Sequence, residues 1–159
     1  MTELPLRKRW PTLALILVLT LGGGALVGFL TRDSMAVYEG IARPGFAPPG
    51  WVFPVAWTIL YAAMSVSLWL AIRKDAPSRA TIVLYAVQLI VNLAWPFIFF
   101  TMQAFGLAFW WLLLLLALVL CLMVRTFRTG PVAGWLLVPY AAWTAFAAVL
   151  SFAVARLNP

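Results

Sequence analysis

Five apolar stretches, each close to a membrane span in length, leave this chain few ways to fold outside a lipid bilayer. A helix of about 20 residues crosses the hydrocarbon core, so five crossings use most of the 159 residues. Hydrophobic residues make up 65% of the chain and charged residues only 9%, unlike a water-soluble domain. The polar and apolar alternation of a lipid-facing barrel strand is absent. The sequence therefore predicts an all-α integral membrane bundle of five transmembrane helices.

One domain covering residues 1–159 accommodates all five predicted spans and their connections. The spans lie at about 10–30, 52–72, 80–102, 107–124 and 131–155. Their links are short, except for the loop at 31–51, which has the length of a functional lid. Pro44, Pro48 and Pro49 restrict the backbone of this loop. We therefore expect an ordered lid with one helical turn near residues 34–41, and a mobile surface loop is the alternative.

The basic residues are distributed unevenly between the two ends of the predicted bundle. The side that holds the N-terminus has Arg7, Lys8, Arg9, Arg73, Lys74, Arg79, Arg125 and Arg128, and the other side has Arg32, Arg43 and Arg156. By the positive-inside rule, the N-terminus is cytoplasmic and the C-terminus outside, in a bacterial cell membrane. The basic residues that give the net charge of +7 then set the topology and contact the lipid bilayer, so we expect no nucleic acid partner.

Several kinds of chemistry are excluded by residues that the chain does not contain. It has no histidine and one cysteine, Cys121, which rules out a haem histidine, a histidine metal cluster and Ser-His or Cys-His catalysis. No Asp, Glu, Lys, Arg or His falls inside the predicted spans, which disfavours an ion-coupled transporter. We expect no metal and no cofactor.

Neutral polar residues alternate with aromatic ones at helical spacing on three of the spans, so each set shares one helix face. The sets are Trp57, Tyr61, Ser65 and Leu68; Tyr85, Gln88, Asn92, Trp95 and Phe99; and Tyr140, Trp143, Thr144, Ala147 and Ser151. Together they are suited to line a cavity for a large, flat, mostly apolar ligand with a polar edge. The alternative is that they join helices by hydrogen bonds, or lie at the membrane interfaces.

Three sequence blocks carry a resemblance to a known family. They are PPGWVFPVAWTILY at 48–61, Gln88-x3-Asn92-x2-Trp95, and Pro139-Tyr140-x2-Trp143. These blocks resemble the signatures of the translocator protein (TspO/MBR) family, whose bacterial members are tryptophan-rich sensory proteins and whose mitochondrial members are peripheral benzodiazepine receptors. The resemblance extends over nearly the whole chain.

The resemblance implies a five-helix bundle, commonly a homodimer, that binds porphyrins such as protoporphyrin IX, sterols, and isoquinoline or benzodiazepine drugs under the first loop. Trp57, Asn92 and Trp143 match pocket positions of the family, and Tyr38 is similar to an aromatic residue that closes over the ligand. Trp57 and Trp143 also match tryptophans implicated in light-dependent porphyrin breakdown in bacterial members. They are therefore the candidate photochemical residues.

Two positions depart from the family pattern. Gly45 and Phe46 stand where members often have tryptophan, which alters one pocket wall. Ser151 and Phe152 replace an Asn and, in animal members, the Tyr of a sterol-recognition motif. Because that tyrosine is missing, the sequence disfavours sterol binding.

The sequence hypothesis is a membrane-embedded porphyrin binder that acts as a sensor, scavenger or regulator of tetrapyrrole levels. The ligand is expected to stack between Trp57 and Trp143. The expected ligand-binding residues are Tyr38, Phe46, Trp57, Tyr61, Gln88, Asn92, Trp95, Tyr140, Trp143 and Ala147. Two alternatives remain: an enzyme that degrades porphyrin in light, and a carrier of small molecules or sterols.

Overall fold

All regular elements in the part of the chain that the structure describes are helical. The structure is a computed structural model that describes residues 10–73 and 78–159. Its elements are α1 (Trp10–Gly40), α2 (Val52–Ile72), α3 (Arg79–Pro96), a π-helical segment (Phe97–Thr101), α4 (Phe105–Thr129), α5 (Pro131–Trp135) and α6 (Val138–Leu157). The all-α prediction is confirmed. The basic residues predicted to mark the cytoplasmic side at 7–9 and 74 lie outside the described residues.

Five helical stretches in the described ranges are long and apolar enough to cross a membrane. They are Trp10–Ser34, Val52–Ile72, Arg79–Thr101, Phe105–Thr129 and Pro131–Leu157. The prediction of five transmembrane helices is therefore confirmed. The third stretch joins α3 to the π-helical segment, and the fifth joins α5 to α6.

The first helix is longer than the sequence predicted. The predicted lid began at residue 31, but α1 continues through that position to Gly40, so the non-helical loop starts only at Ile41. The sequence from Thr31 to Glu39 contains neither Pro nor Gly, and nothing in it stops the helix. The helical turn expected near residues 34–41 is thus the last part of α1.

Prolines explain two further differences from the predicted spans. Pro96 has no N–H for the carbonyl of Asn92, and a π-helical turn follows in which the Met102 N–H donates to the Phe97 oxygen at 2.8 Å. The predicted fifth span, 131–155, is interrupted between α5 and α6. Pro139 cannot donate to the carbonyl of Trp135 there, so the helix restarts after a turn.

The helices form a closed ring in the order α1, α2, the α5/α6 pair, α4 and α3. α1 packs against α2 and α3, and α4 packs against α3, α5 and α6. α2 approaches α5 more closely than it approaches α6. The gap left between α2 and α6 is filled by large aromatic side chains, described below.

A regular seam on α4 supplies a continuous apolar part of the core. Its buried residues recur at alternating steps of three and four: Phe105, Ala108, Leu112, Leu115, Val119, Leu122 and Thr126. This spacing keeps one stripe facing a neighbouring helix at a shallow crossing angle. The seam contains no ionisable residue.

The first helix contains a Gly24-x3-Gly28 pattern, a spacing that permits close helix contact, and the two glycines have different surroundings. A Cβ at Gly24 would collide with the ring of Tyr61, whereas a Cβ at Gly28 would meet nothing within 4 Å. Gly24 therefore serves packing within the bundle, because only a residue without a side chain admits the tyrosine ring beside the α1 backbone.

Candidate functional site

The polar face of α3 lies inside the bundle. Its buried residues include Tyr85, Gln88, Asn92 and Trp95, and Phe99 is buried in the π-helical segment. Because they are three or four residues apart, the helix turns all of them toward the same side. The grouping predicted from spacing is the one that α3 presents to α2 and α6.

A hydrogen-bond network joins this face to α2 and α6. The Tyr61 hydroxyl donates to Asn92 Oδ1, Asn92 Nδ2 donates to the Tyr140 oxygen, and the Tyr140 hydroxyl donates to Gln88 Oε1, each at 2.7 Å. All four side chains are buried. Inside a membrane such groups must find partners within the protein. The amide of Asn92 uses both its oxygen and its nitrogen in this network.

Three buried N–H groups near the network have no hydrogen-bond partner among the described residues. They are Gln88 Nε2, Trp95 Nε1 and Trp143 Nε1. A buried donor without an acceptor is unfavourable, and native proteins contain few of them. All three groups are donors, so a molecule that satisfies them must offer acceptor atoms.

The indoles of Trp57 and Trp143 lie in the gap between α2 and α6. Trp57 stacks on Tyr61 with ring centroids 5.6 Å apart and meets Tyr140 edge-on at 6.1 Å. The two indoles are 6.4 Å apart with their planes at 87°. Both remain partly exposed. Because the planes are perpendicular, a flat ligand can stack on one indole and meet the edge of the other, but the sandwich expected from the sequence requires one ring to rotate.

Tyr38 closes the end of the aromatic cluster that lies nearest the loop at 41–51. It lies in the last turn of α1 and is fully buried, with 0% of its side chain exposed. Its hydroxyl donates to the Pro48 oxygen at 3.0 Å, and its ring meets Phe53 edge-on at 5.2 Å. Burial raises the pKa of the Tyr38 phenol, and the nearby Arg43 guanidinium opposes this shift. The phenol is therefore neutral and available as a donor at physiological pH.

The loop that follows α1 is fastened to α6 at two points. Phe46 contacts Phe146 with centroids 6.2 Å apart, and Phe146 contacts Trp143 at 5.5 Å. Near the C-terminus, Asn158 accepts from the Ala42 N–H at 3.1 Å and donates to the Ala42 oxygen at 2.8 Å. These contacts support an ordered lid over residues 41–51.

A cleft of about 840 Å³ opens on the lid. It is lined by Glu39, Ile41, Arg43, Pro44, Ala47, Pro49, Gly50 and Trp51. Glu39, Arg43 and Asn158 are not among the site residues predicted from the sequence. The position of Arg43 directly before Pro44, among the prolines of the lid, is the one signal that could have suggested it.

The structure thus brings most of the expected site residues together. Trp57, Tyr61, Gln88, Asn92, Tyr140 and Trp143 form one contact group. Ala147 is buried on α6 one turn beyond Trp143. Trp95 and Tyr38 join the group at its outer end because both rings contact Phe99 and Phe100. Phe46 reaches it only through Phe146.

These features define a class of protein: a five-helix membrane bundle with a cluster of neutral polar and aromatic side chains near the loop at 41–51. Residues 14–157 match the model of the TspO/MBR family, and the chain belongs to that family. The Chlorobaculum tepidum protein named tryptophan-rich protein TspO is 34% identical over 158 residues, which cover 97% of this chain and all of that protein. The human translocator protein is 34% identical, covering 85% of this chain and 83% of that one.

A further relative is the tryptophan-rich sensory protein of Cereibacter sphaeroides. It is 34% identical over 137 residues, with 86% of this chain and 85% of the relative covered. Relatives from bacteria and from an animal thus align along most of their length. The expected family is confirmed, and the protein is a member of a family of membrane sensors and translocators.

Proposed function

We propose that this protein binds a porphyrin within the bundle and acts as a sensor or scavenger of tetrapyrroles. One observation carries the proposal: partly exposed indoles of Trp57 and Trp143 lie beside unpaired, buried N–H donors. A flat aromatic ligand gains stacking area from the indoles. Its acceptor atoms would satisfy donors that are otherwise unfavourable to bury.

The perpendicular arrangement of the two indoles suggests how the ring would lie. One face of the porphyrin stacks on one indole, and the edge of the other indole contacts the ring. Trp143 Nε1 belongs to one of these indoles, and Gln88 Nε2 belongs to the amide that accepts from Tyr140, whose ring contacts Trp57. The lid at residues 41–51 covers the outer end and limits the access of water.

Titration of purified protein with protoporphyrin IX in the dark tests the proposal. We expect saturable quenching of tryptophan fluorescence and a shift of the porphyrin absorbance band. Trp110 is 67% exposed on α4 and lies outside the contact group, so Trp110→Phe is the control that should bind like the wild type. Quenching that does not saturate, or that Trp57→Leu together with Trp143→Leu leaves unchanged, would exclude this site.

A second candidate function is the degradation of porphyrin in light. It is favoured by the chain of ring contacts from Trp143 to Trp57 to Tyr61. An excited porphyrin could take one electron from an adjacent indole, leaving a porphyrin radical anion and an indole radical cation. Illumination of the complex distinguishes the two functions, since binding alone leaves the absorbance band intact while degradation bleaches it at a rate that depends on the protein.

For the placement in the cell, we propose a bacterial cell membrane with the N-terminus in the cytoplasm. The distribution of basic residues supports this orientation. In a Cys121→Ser background, Ala47→Cys should react with an impermeant thiol reagent in intact cells and Ser78→Cys should be protected. The opposite labelling pattern would invert the orientation.

We further propose that the protein is a homodimer, as the family resemblance implies. α1 supports this because one of its faces is apolar and exposed, including Leu19, Leu26 and Phe29. In the Cys121→Ser background, Leu26→Cys should form a crosslinked dimer in native membranes if α1 lies at the interface. Crosslinking that falls to the level of random collision when the protein is diluted in lipid would rule out this interface.

A further inference from the structure

The interior of the site offers no positive charge to a ligand. The buried polar residues of the described part of the chain, including those of the site, are all neutral: Thr20, Thr31, Ser65, Ser67, Thr81, Gln88, Asn92, Thr126, Thr144 and Ser151. Moving an ionised carboxylate into such an environment without a cation is strongly unfavourable. If the ligand is a porphyrin with carboxylate side chains, those groups must lie where the protein provides a cation.

Arg43 is the cation that lies nearest to the aromatic cluster. Its guanidinium is 4.9 Å from the centroid of the Tyr38 ring, and it lines the cleft on the lid. The side chain is exposed and makes no ion pair within the described ranges. The guanidinium has five N–H donors, so its interaction with the Tyr38 phenol leaves others for a planar carboxylate.

Ring contacts connect Arg43 with the proposed porphyrin site. The Tyr38 ring beneath the guanidinium meets Phe53 at 5.2 Å, and Phe53 meets Trp143 at 6.1 Å. The path from the cation to the indole therefore passes through only two intervening rings. A ligand lying against Trp143 has its outward edge directed toward the lid.

The other two arginines at this end of the bundle are placed differently. Arg32 pairs with Asp33 at 3.5 Å and lies over Phe29, a side chain that is itself exposed on α1. Arg156 lies in the last turn of α6 and does not line the cleft. Of these three arginines, only Arg43 both lacks an ion-pair partner among the described residues and lines the cleft.

We propose that Arg43 is a specificity-determining residue that binds the carboxylate groups of the ligand while the flat ring lies among the indoles. This inference rests on the proposed porphyrin-binding function and names the anionic edge as the feature that the lid recognises. Glu39 lines the same cleft and repels a carboxylate. The two charges together orient the anionic edge toward Arg43.

The test compares protoporphyrin IX with its neutral dimethyl ester, which has the same ring but no carboxylate. Wild type, Arg43→Gln and Glu39→Gln are titrated in nanodiscs of zwitterionic phosphatidylcholine, so that anionic lipid headgroups do not compete. An ion pair in an exposed cleft is worth about a two- to fivefold change in affinity. Arg43→Gln should weaken binding of the acid by about that factor and leave the ester unchanged, whereas Glu39→Gln should strengthen binding of the acid only.

Arg156→Gln is the matched control because it removes one positive charge from the same end of the bundle. It should leave both dissociation constants unchanged. An equal loss of acid and ester affinity in Arg43→Gln would show that Arg43 only holds the lid in shape, and an unchanged acid affinity would also overturn the proposal. Failure of the wild type to bind either compound would instead overturn the porphyrin-binding function itself.

Discussion

α3 and α4 are neighbouring transmembrane helices, but they bury opposite kinds of residue. α4 buries an apolar seam with Leu112 and Leu115 at its centre. α3 buries Gln88 and Asn92 together with aromatic rings. Both helices satisfy the requirement for an apolar surface toward lipid, because each exposes large hydrophobic side chains such as Ile90 and Leu114.

The contrast shows that a helix needs different residues to cross the membrane and to form a site. The seam on α4 is enough to hold helices together by close packing. The polar face of α3 is unnecessary for that purpose, since neutral polar groups in a membrane contribute little to helix association. We propose that this polar face is present because groups such as the unpaired Gln88 Nε2 contact a ligand. Each of the following substitutions alters either the apolar packing or the site.

The largest effect is expected from Leu115→Ala in the seam of α4. Leu115 is fully buried, and removing its side chain should lower the free energy of unfolding by about 2–5 kcal/mol. Leu114→Ala is the matched control, because Leu114 is 47% exposed and should change stability little. Thermal unfolding in detergent measures both. Porphyrin affinity of the folded Leu115→Ala protein should be unchanged, and a large loss of affinity would break the contrast.

The two amides of α3 should differ in what their removal changes. Gln88 keeps an unpaired Nε2 donor, so Gln88→Met should weaken porphyrin binding by on the order of 1–3 kcal/mol. Asn92 is fully engaged by Tyr61 and Tyr140, so Asn92→Leu should mainly lower stability, by roughly 0.6 kcal/mol for each lost bond. Dissociation constants and melting temperatures measured on both variants decide this. Equal affinity losses would assign both amides to the ligand.

Replacing either indole by phenylalanine separates binding from photochemistry. A phenyl ring keeps an aromatic face but is much harder to oxidise than indole. Trp57→Phe should therefore lose no more than about 1.5 kcal/mol of affinity, and Trp143→Phe, which also loses its Nε1 donor, on the order of 1–3 kcal/mol. In both variants any bleaching that depends on the protein disappears. Bleaching is compared at saturating porphyrin with Trp110→Phe as the control. If both variants bleach as fast as the wild type, these tryptophans have no photochemical role.

The smallest effect is expected at the polar link between the two compared helices. Trp111 Nε1 on α4 donates to the Val91 oxygen on α3 at 2.7 Å. Trp111→Phe removes this bond and keeps an aromatic ring, so the stability should fall by about 0.6 kcal/mol. Porphyrin affinity should not change. A loss of affinity here would mean that the position of α3 relative to α4 controls the site.

Periodicity and composition predicted the number of spans and the buried face of α3. Both are local properties, because five apolar stretches and a spacing of three and four residues can be counted in the chain. The continuation of α1 to Gly40 was not predicted, since the residues after Thr31 are polar enough to read as a loop, although none of them breaks a helix.

The contacts between residues of the site could not be predicted from the sequence either. Spacing places Asn92 on a face, but only the packing of three helices determines that it joins Tyr61 to Tyr140. The perpendicular planes of Trp57 and Trp143 depend in the same way on how closely α2 and α6 approach. The hydrogen bond between the Thr20 and Tyr85 hydroxyls, at 2.7 Å, links residues 65 positions apart. No short motif could therefore indicate it.

The neutrality of the buried polar groups also has an electrical consequence. A transmembrane potential does work only on charge that moves through it, about 2.3 kcal/mol per elementary charge for each 100 mV. The buried amides, hydroxyls and phenols of the described chain carry none. Rearrangement of these buried groups on α2, α3 and α6 would therefore transport no gating charge. The populations of the bundle's conformations should therefore be the same in energised and depolarised membranes. The occupancy of the site should then depend on the concentration of ligand and not on the voltage.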